Sequence, residues 1–284
     1  MIHTGKAVLA LVLGFVNSTL AHAAPLPRVV SLDSCADQYV LALADDAQIM
    51  ALTKNAHMAF SYFNERAKAF PAHDGRAESL LAYKPDVVVA TGMADPMLSN
   101  LMTRVGVKVV ATGLSSSITH GPKVIEAFGD ALGQSGRAEK MRNDFHSKLI
   151  SLKALPKLNH TALYLSPGGT TTGAGTFLDE IITLAGFDNH MSQKGYSGWS
   201  QLNVEHLVSD APDVVIGGFF DARVGQADSW RFASHPVIER LMGRAKVINV
   251  PSHLISCPAW FSLEAVDMIR NALKGDAPDG RDGE

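Results

Sequence analysis

Glu78-Ser-Leu-Leu-Ala-Tyr-Lys-Pro85-Asp86-Val-Val-Val89 returns 127 residues later as Glu205-His-Leu-Val-Ser-Asp-Ala-Pro212-Asp213-Val-Val-Ile216. In both copies a glutamate stands seven residues before Pro-Asp, and a β-branched run follows. Each copy reads as a short amphipathic helix, stopped by proline, that feeds a buried strand. Working outward, an opening strand precedes each copy, Arg28-Val-Val-Ser-Leu32 and Thr161-Ala-Leu-Tyr-Leu165. A further apolar strand follows each, Val107-Lys-Val-Val-Ala111 and Lys246-Val-Ile-Asn-Val250. Short β-rich runs alternating with helical stretches predict parallel sheets with helical crossovers, and two such units predict an α/β fold of two Rossmann-like lobes. Between them, Ala138, Met141, Phe145, Leu149, Ile150 and Leu152 form a helical stripe without internal glycine or proline. The expected division is an N-terminal lobe over 24–136, a connecting helix over 137–156 and a C-terminal lobe over 157–275.

The ends of the chain indicate where it works. Lys6, the apolar run Ala7 to Val16 and Ala21-His22-Ala23 have the form of a secretory signal peptide over residues 1–23. Its apolar run is too short to anchor in a bilayer, so the chain is expected to be exported, soluble and periplasmic. The Gly/Asp-rich tail 276–284 is expected to fray. Across 284 residues, 46% hydrophobic and 19% charged, there is enough apolar material for a core, which excludes a disordered chain. A net charge of -3 gives no electrostatic reason for a nucleic-acid partner.

In open α/β sheets ligands sit beyond the carboxyl ends of the strands. That rule selects Asp33 to Cys35, Lys54 to His57, Gly92-Met93 and Leu114 to Ser117 in the first lobe. In the second it selects Ser166 to Thr172, Phe219 to Arg223 and Ser252 to Trp260. The mixture of aromatic and polar groups suits a recognition cleft. An enzyme of doubly wound fold acting on a small polar substrate is the alternative, with Cys35 or Ser34 as nucleophile at a helix N-terminus. The motifs of serine hydrolases, zinc proteases and P-loop nucleotide binders do not occur, and no catalytic residue is assigned. The eleven histidines show no paired i, i+4 spacing for a metal, so a free metal-ion binder is poorly supported and no metal ligands are assigned. His120, His146 and His160 read as solvated or locally satisfied, whereas His57 and His253 occupy loops on the ligand side.

The opening Arg28-Val-Val-Ser-Leu, the paired Glu-x-Leu-x-x-x-x-Pro-Asp units and the central helix resemble the periplasmic substrate-binding proteins of metal-chelate ABC importers. Gly173 to Asn189 resembles the start of that family's second lobe, and the similarity spans about residues 28 to 273. The resemblance implies two lobes joined by one long helix, with a cleft that captures a cobalamin, a ferric siderophore or haem as cargo rather than as a catalytic cofactor. A corrinoid ranks first, a siderophore second and haem third. It also implies that Glu78 and Glu205, one per lobe, contact the ABC permease and its ATPase, and that Trp199 is a cleft aromatic of the second lobe. Tyr62, Phe63, Phe219, Phe220 and Trp260 could add flat walls for a macrocycle. Arg223 and Lys54 could meet an anionic periphery. For haem, the axial candidates are Tyr62, Tyr196, His57 and His253. The resulting ligand-binding set is Asp33, Cys35, Lys54, His57, Tyr62, Gly92, Met93, Thr172, Trp199, Phe219, Arg223, His253, Cys257 and Trp260, in a chain expected to act as a monomer.

Cys35 and Cys257 are the two cysteines of the chain. Three arrangements remain open: a disulfide across the cleft, two free thiols lining it, or separate burial. A disulfide would hold the lobes closed over the site, which suits a binding protein badly.

Overall fold

The computed structural model describes residues 25–205, 207, 210–221, 232 and 235–274. The leader expected over 1–23, the tail 276–284 and Arg223 lie outside the described residues.

Five strands build the first sheet: β1 (Val29–Ser31), β2 (Ile49–Thr53), β3 (Ala72–His73), β4 (Val87–Ala90) and β5 (Lys108–Ala111). Every neighbouring pair is parallel and the order is β3-β2-β1-β4-β5. The second lobe adds β6 (Thr161–Leu165), β7 (Thr170–Thr172), β8 (Asp188–Asn189), β9 (Trp199–Gln201), β10 (Val214–Gly218) and β11 (Lys246–Val250). Its main sheet is again parallel, in the order β11-β10-β6-β8, while β7 and β9 form a separate antiparallel ribbon. The strand order reverses between β1 and β4 in one sheet and between β6 and β10 in the other. These are the places where a doubly wound sheet opens a crevice for ligand.

The Pro-Asp repeat has a structural cause. Asp86 accepts hydrogen bonds from the backbone N–H of Arg28 at 2.8 Å and from its guanidinium at 3.0 and 2.9 Å. Asp213 accepts from the N–H of Thr161 at 2.7 Å and from its hydroxyl at 3.1 Å. In each lobe the aspartate that ends the repeat ties the amino end of the central strand to its parallel neighbour. Proline stops the preceding helix so that the carboxylate falls there. The Arg28 guanidinium holds the Asp86 carboxyl well below the usual carboxylate range.

The connecting helix runs Ser135–Lys153, two residues earlier at its start than the pattern suggests. Gly133, at φ 68, takes the left-handed conformation that closes the helix Gly121–Leu132 and lets the next begin at once. Ala138, Phe145, Leu149 and Leu152 are buried and Met141 packs against the core, but Ile150 faces solvent. Ile150 lies about 100° around the helix from Leu149, off the 3-4-4-3 stripe.

A second crossing was not legible from the pattern. The segment after β11 places Leu254 and Ile255 in the core of the second lobe, then Cys257, Ala259 and Phe261 in the core of the first. Trp260 packs against both. The chain then returns to the second lobe in the helix Ser262–Lys274. The lobes are therefore joined by a rigid helix and by a buried apolar strap. Among the described residues no helix is long and apolar enough to cross a membrane.

Candidate functional site

One side-chain clasp shows that the strand-end faces of the lobes are turned towards each other, and a disulfide ties the strap to the first of them. Cys35, four residues beyond the end of β1, is disulfide-bonded to Cys257 with Cα atoms 5.7 Å apart. Glu180, in the second-lobe helix Phe177–Leu184, accepts from the Ser117 hydroxyl at 2.5 Å and the Ile118 N–H at 2.7 Å in the loop beyond β5. Of the three arrangements open for the cysteines, the structure contains the disulfide. The expectation that such a bridge would shut the cleft fails, because Cys257 belongs to the strap buried in the first lobe. The bond closes the floor of the cleft and leaves its mouth alone. It also removes Cys35 as a nucleophile, since a bonded sulfur has no thiolate to attack with.

Asp33 is the N-cap of the helix Ser34–Leu43, accepting from Cys35 N–H at 3.1 Å and Ala36 N–H at 2.8 Å. The same carboxylate accepts from Thr91 N–H and hydroxyl, both at 2.7 Å, and from Gly92 N–H at 3.2 Å. It thus pins the loops beyond β1 and β4 together. In the second lobe Asp221 joins the loops beyond β10 and β11, accepting from Ser252 N–H at 3.0 Å and its hydroxyl at 3.2 Å. Asp33 thus shapes the first-lobe switch point, and the oxygens of both aspartates are already engaged.

The groups left open are apolar. Met93 and Leu114, each about four-fifths exposed, stand on the first lobe beyond β4 and β5. Trp199 is half exposed on the second lobe, with its ring 6.1 Å from Tyr164 and 6.0 Å from Phe177. Thr172 is its cross-strand partner, buried and bonded through its hydroxyl to Thr176. Phe219 follows β10 with φ 64, a left-handed conformation costly for a phenylalanine and typical of chain held in place at a site. Lys54 is exposed at the end of β2, and Gly92 lies against Leu114.

Tyr62, His253 and Trp260 gather elsewhere. Tyr62 stacks on Phe261 at 4.5 Å and donates its hydroxyl to Glu264 at 2.6 Å; His253 lies 6.1 Å from Tyr62. Trp260 meets Tyr39 edge-on at 5.0 Å and Phe261 at 5.1 Å. These rings weld the strap to the first lobe, and burial together with the hydrogen bond to Glu264 pushes the Tyr62 phenol up. The His57 Nε2 is buried without a partner among the described residues.

Sequence reading passed over three features here. The Ser117–Glu180 clasp joins residues 63 positions apart and carries no local signal. His120, which reads as solvated or locally satisfied, has its Nε2 buried and without a partner among the described residues, as has the hydroxyl of Tyr39. Asp37 is fully buried, accepting from the Ser31 hydroxyl and from Thr53 N–H at 3.0 Å and its hydroxyl. Burial pushes the Asp37 carboxyl up to about 6, against the lowering effect of those hydrogen bonds. A raised native value means that the stabilising protonated form is present at low pH and lost as pH rises through about 6. On that reasoning Asp37→Asn gains stability relative to wild type as pH increases from 4 to 7, by roughly 3 kcal/mol at most. Denaturant melts across that range measure the gap; a gap independent of pH would contradict the assignment.

Among the described residues no group of three or more histidine, cysteine, aspartate or glutamate side chains is placed to hold a metal ion. A family profile described as "Periplasmic binding protein" matches residues 29–266. A cobalamin-binding protein of Halobacterium salinarum is 22% identical over 258 residues, covering 87% of this chain and 69% of that protein. Among solved structures, the haem-binding protein HutB of Vibrio cholerae superposes with a TM-score of 0.69 at 20% identity, covering 87% of this chain and 98% of its own. The haem-binding protein RhuT of Roseiflexus superposes with 0.67 at 20% identity, covering 86% and 98%. The vitamin B12-binding protein BtuF of Vibrio cholerae superposes with 0.64 at 17% identity, covering 88% and 97%. At these identities the structural likeness is one of fold.

Proposed function

The chain belongs to the periplasmic binding protein family, and from that premise we propose that it captures a metal chelate between its lobes and delivers it to an ABC permease. The observation that carries this reading is the pair of strand-end faces turned towards each other, with Asp33 pinning the loops beyond β1 and β4, Asp221 those beyond β10 and β11, and exposed apolar groups on both. Exposed Met93, Leu114 and Trp199 offer flat and adaptable surface to a large ligand, and exposed Lys54 can meet a negative periphery. A corrinoid remains first, a ferric siderophore second and haem third, because Tyr62, an axial candidate for haem, is engaged with Glu264. The leader over residues 1–23 is assigned to export into the periplasm. The lobes 24–136 and 157–275 act as two walls set at a nearly constant angle by the helix, the strap and the disulfide.

Titration with cyanocobalamin, haem and a panel of ferric siderophores tests the reading. Saturable quenching of tryptophan fluorescence is expected with one of them, and Trp199→Ala should weaken that binding about tenfold or more, as loss of a stacked aromatic contact does. Absence of saturable binding to every chelate would overturn it.

A further inference from the structure

On the first-lobe side of the cleft a cavity of about 100 Å³ opens beside the disulfide. Tyr39, Thr91, Leu114, Ser115, His120 and Pro258 are among the residues that line it, and none of the lining residues is acidic. Its polar groups divide into two kinds. The Thr91 hydroxyl donates to Asp33, and the Ser115 hydroxyl is bonded to the backbone of Ser117. The Tyr39 hydroxyl and the His120 Nε2, by contrast, are buried with no hydrogen-bond partner among the described residues. They belong to one corner: a Cβ on Gly121, the residue after His120, would stand 3.6 Å from the Tyr39 hydroxyl. His120 in turn leads into the twelve-residue helix Gly121–Leu132, whose positive end faces the same corner.

A buried phenol without an acceptor is costly, and so is an imidazole nitrogen without a partner, so such a pair calls for an occupant. The cavity has room for about three waters, which is also the size of a short side arm ending in a carboxylate or a primary amide. Burial pushes the Tyr39 phenol well above its ordinary value, so the hydroxyl keeps its proton and acts as a donor. The imidazole nitrogen donates or accepts according to its tautomer.

We propose that this cavity receives a carbonyl-bearing arm of the captured chelate, with the Tyr39 hydroxyl donating to the carbonyl oxygen and His120 Nε2 completing the pair. The assignment rests on the chelate-binding reading above. Corrinoids present such arms as amides and porphyrins as carboxylates, and the shared carbonyl is what the cavity recognises.

The test titrates cyanocobalamin and haem separately into the full chain carrying Tyr39→Phe, His120→Leu or His120→Gln. For whichever ligand wild type binds, Tyr39→Phe should raise Kd about tenfold. Its melting temperature should stay unchanged or rise, because phenylalanine keeps the shape and deletes an unpaired hydroxyl. A merely structural tyrosine would behave the other way. His120→Leu should weaken binding similarly, and His120→Gln should recover part of it. Wild-type affinity in Tyr39→Phe overturns the proposal and leaves chelate binding intact. Failure of wild type to bind either ligand removes the chelate reading for both and this assignment with it.

Discussion

Replacing Cys35 and Cys257 together by alanine will lower the thermal unfolding midpoint by about 10 °C or more. The bridge closes a loop of 222 residues. In the chain-entropy description, a cross-link of that span removes roughly 5 kcal/mol of freedom from the unfolded chain. For a chain of this size each kcal/mol corresponds to about 2–4 °C. Part of the loss is local. Cys257 is buried in the core of the first lobe, and releasing it weakens the seat of Ala259, Trp260 and Phe261. Reduction of the wild-type protein should reproduce most of the shift, which separates the missing bond from the altered side chains. A midpoint within 2 °C of wild type in both experiments would show that the strap holds the lobes without the bond.

Loss of uptake without loss of binding is expected when Glu78 and Glu205 are replaced by alanine. Glu78 lies in the first turn of the helix Ala77–Ala82, and Glu205 stands 127 residues on at the matching place in the second lobe. Both are exposed, and neither carboxylate has an ion-pair partner among the described residues. One carboxylate on each lobe suits a two-fold permease with an arginine on each half, where charge-assisted pairs orient the docking. Removing one partner of such a desolvated pair costs about 2–5 kcal/mol, so the double variant should transport at least tenfold more slowly. Chelate affinity and melting temperature should stay near wild type, since both side chains point into solvent. Transport at the wild-type rate by the double variant would remove these residues from docking. A parallel loss of chelate binding would place their effect in the cleft instead.

The parallel sheets were legible because strand burial is written locally. Val87 to Ala90 and Val214 to Gly218 are continuous apolar or glycine runs fixed behind Pro-Asp, and both are buried throughout. The offset from each glutamate to its aspartate follows from one helix, one proline and one carboxylate that must reach the neighbouring strand. Strand-end loops were legible too, since the switch-point rule depends on strand order alone. Which atoms those loops leave open was not. Asp33 stood in the right loop, yet its carboxylate is filled by Thr91 and Gly92, 58 and 59 residues away. Tyr62 reads as a flat wall until Glu264, 202 residues on, takes its hydroxyl. Tyr39 looks like an ordinary core residue of a helix, and only its hydroxyl, without a partner among the described residues, sets it apart.

By itself, then, the sequence determined two parallel α/β lobes, their repeat, the helix between them and the loops that face the cleft. Each of these depends on side-chain period, β-branching and proline, which act over a few residues. Only the tertiary structure decided that Cys35 meets Cys257, that the strap of 251–261 enters the other lobe's core, and that Tyr62 and Trp260 pack into the junction of strap and first lobe while Met93, Leu114 and Trp199 stay open. The path of a loop through space settles those pairings, because a side chain is engaged or free according to partners that local periodicity does not encode.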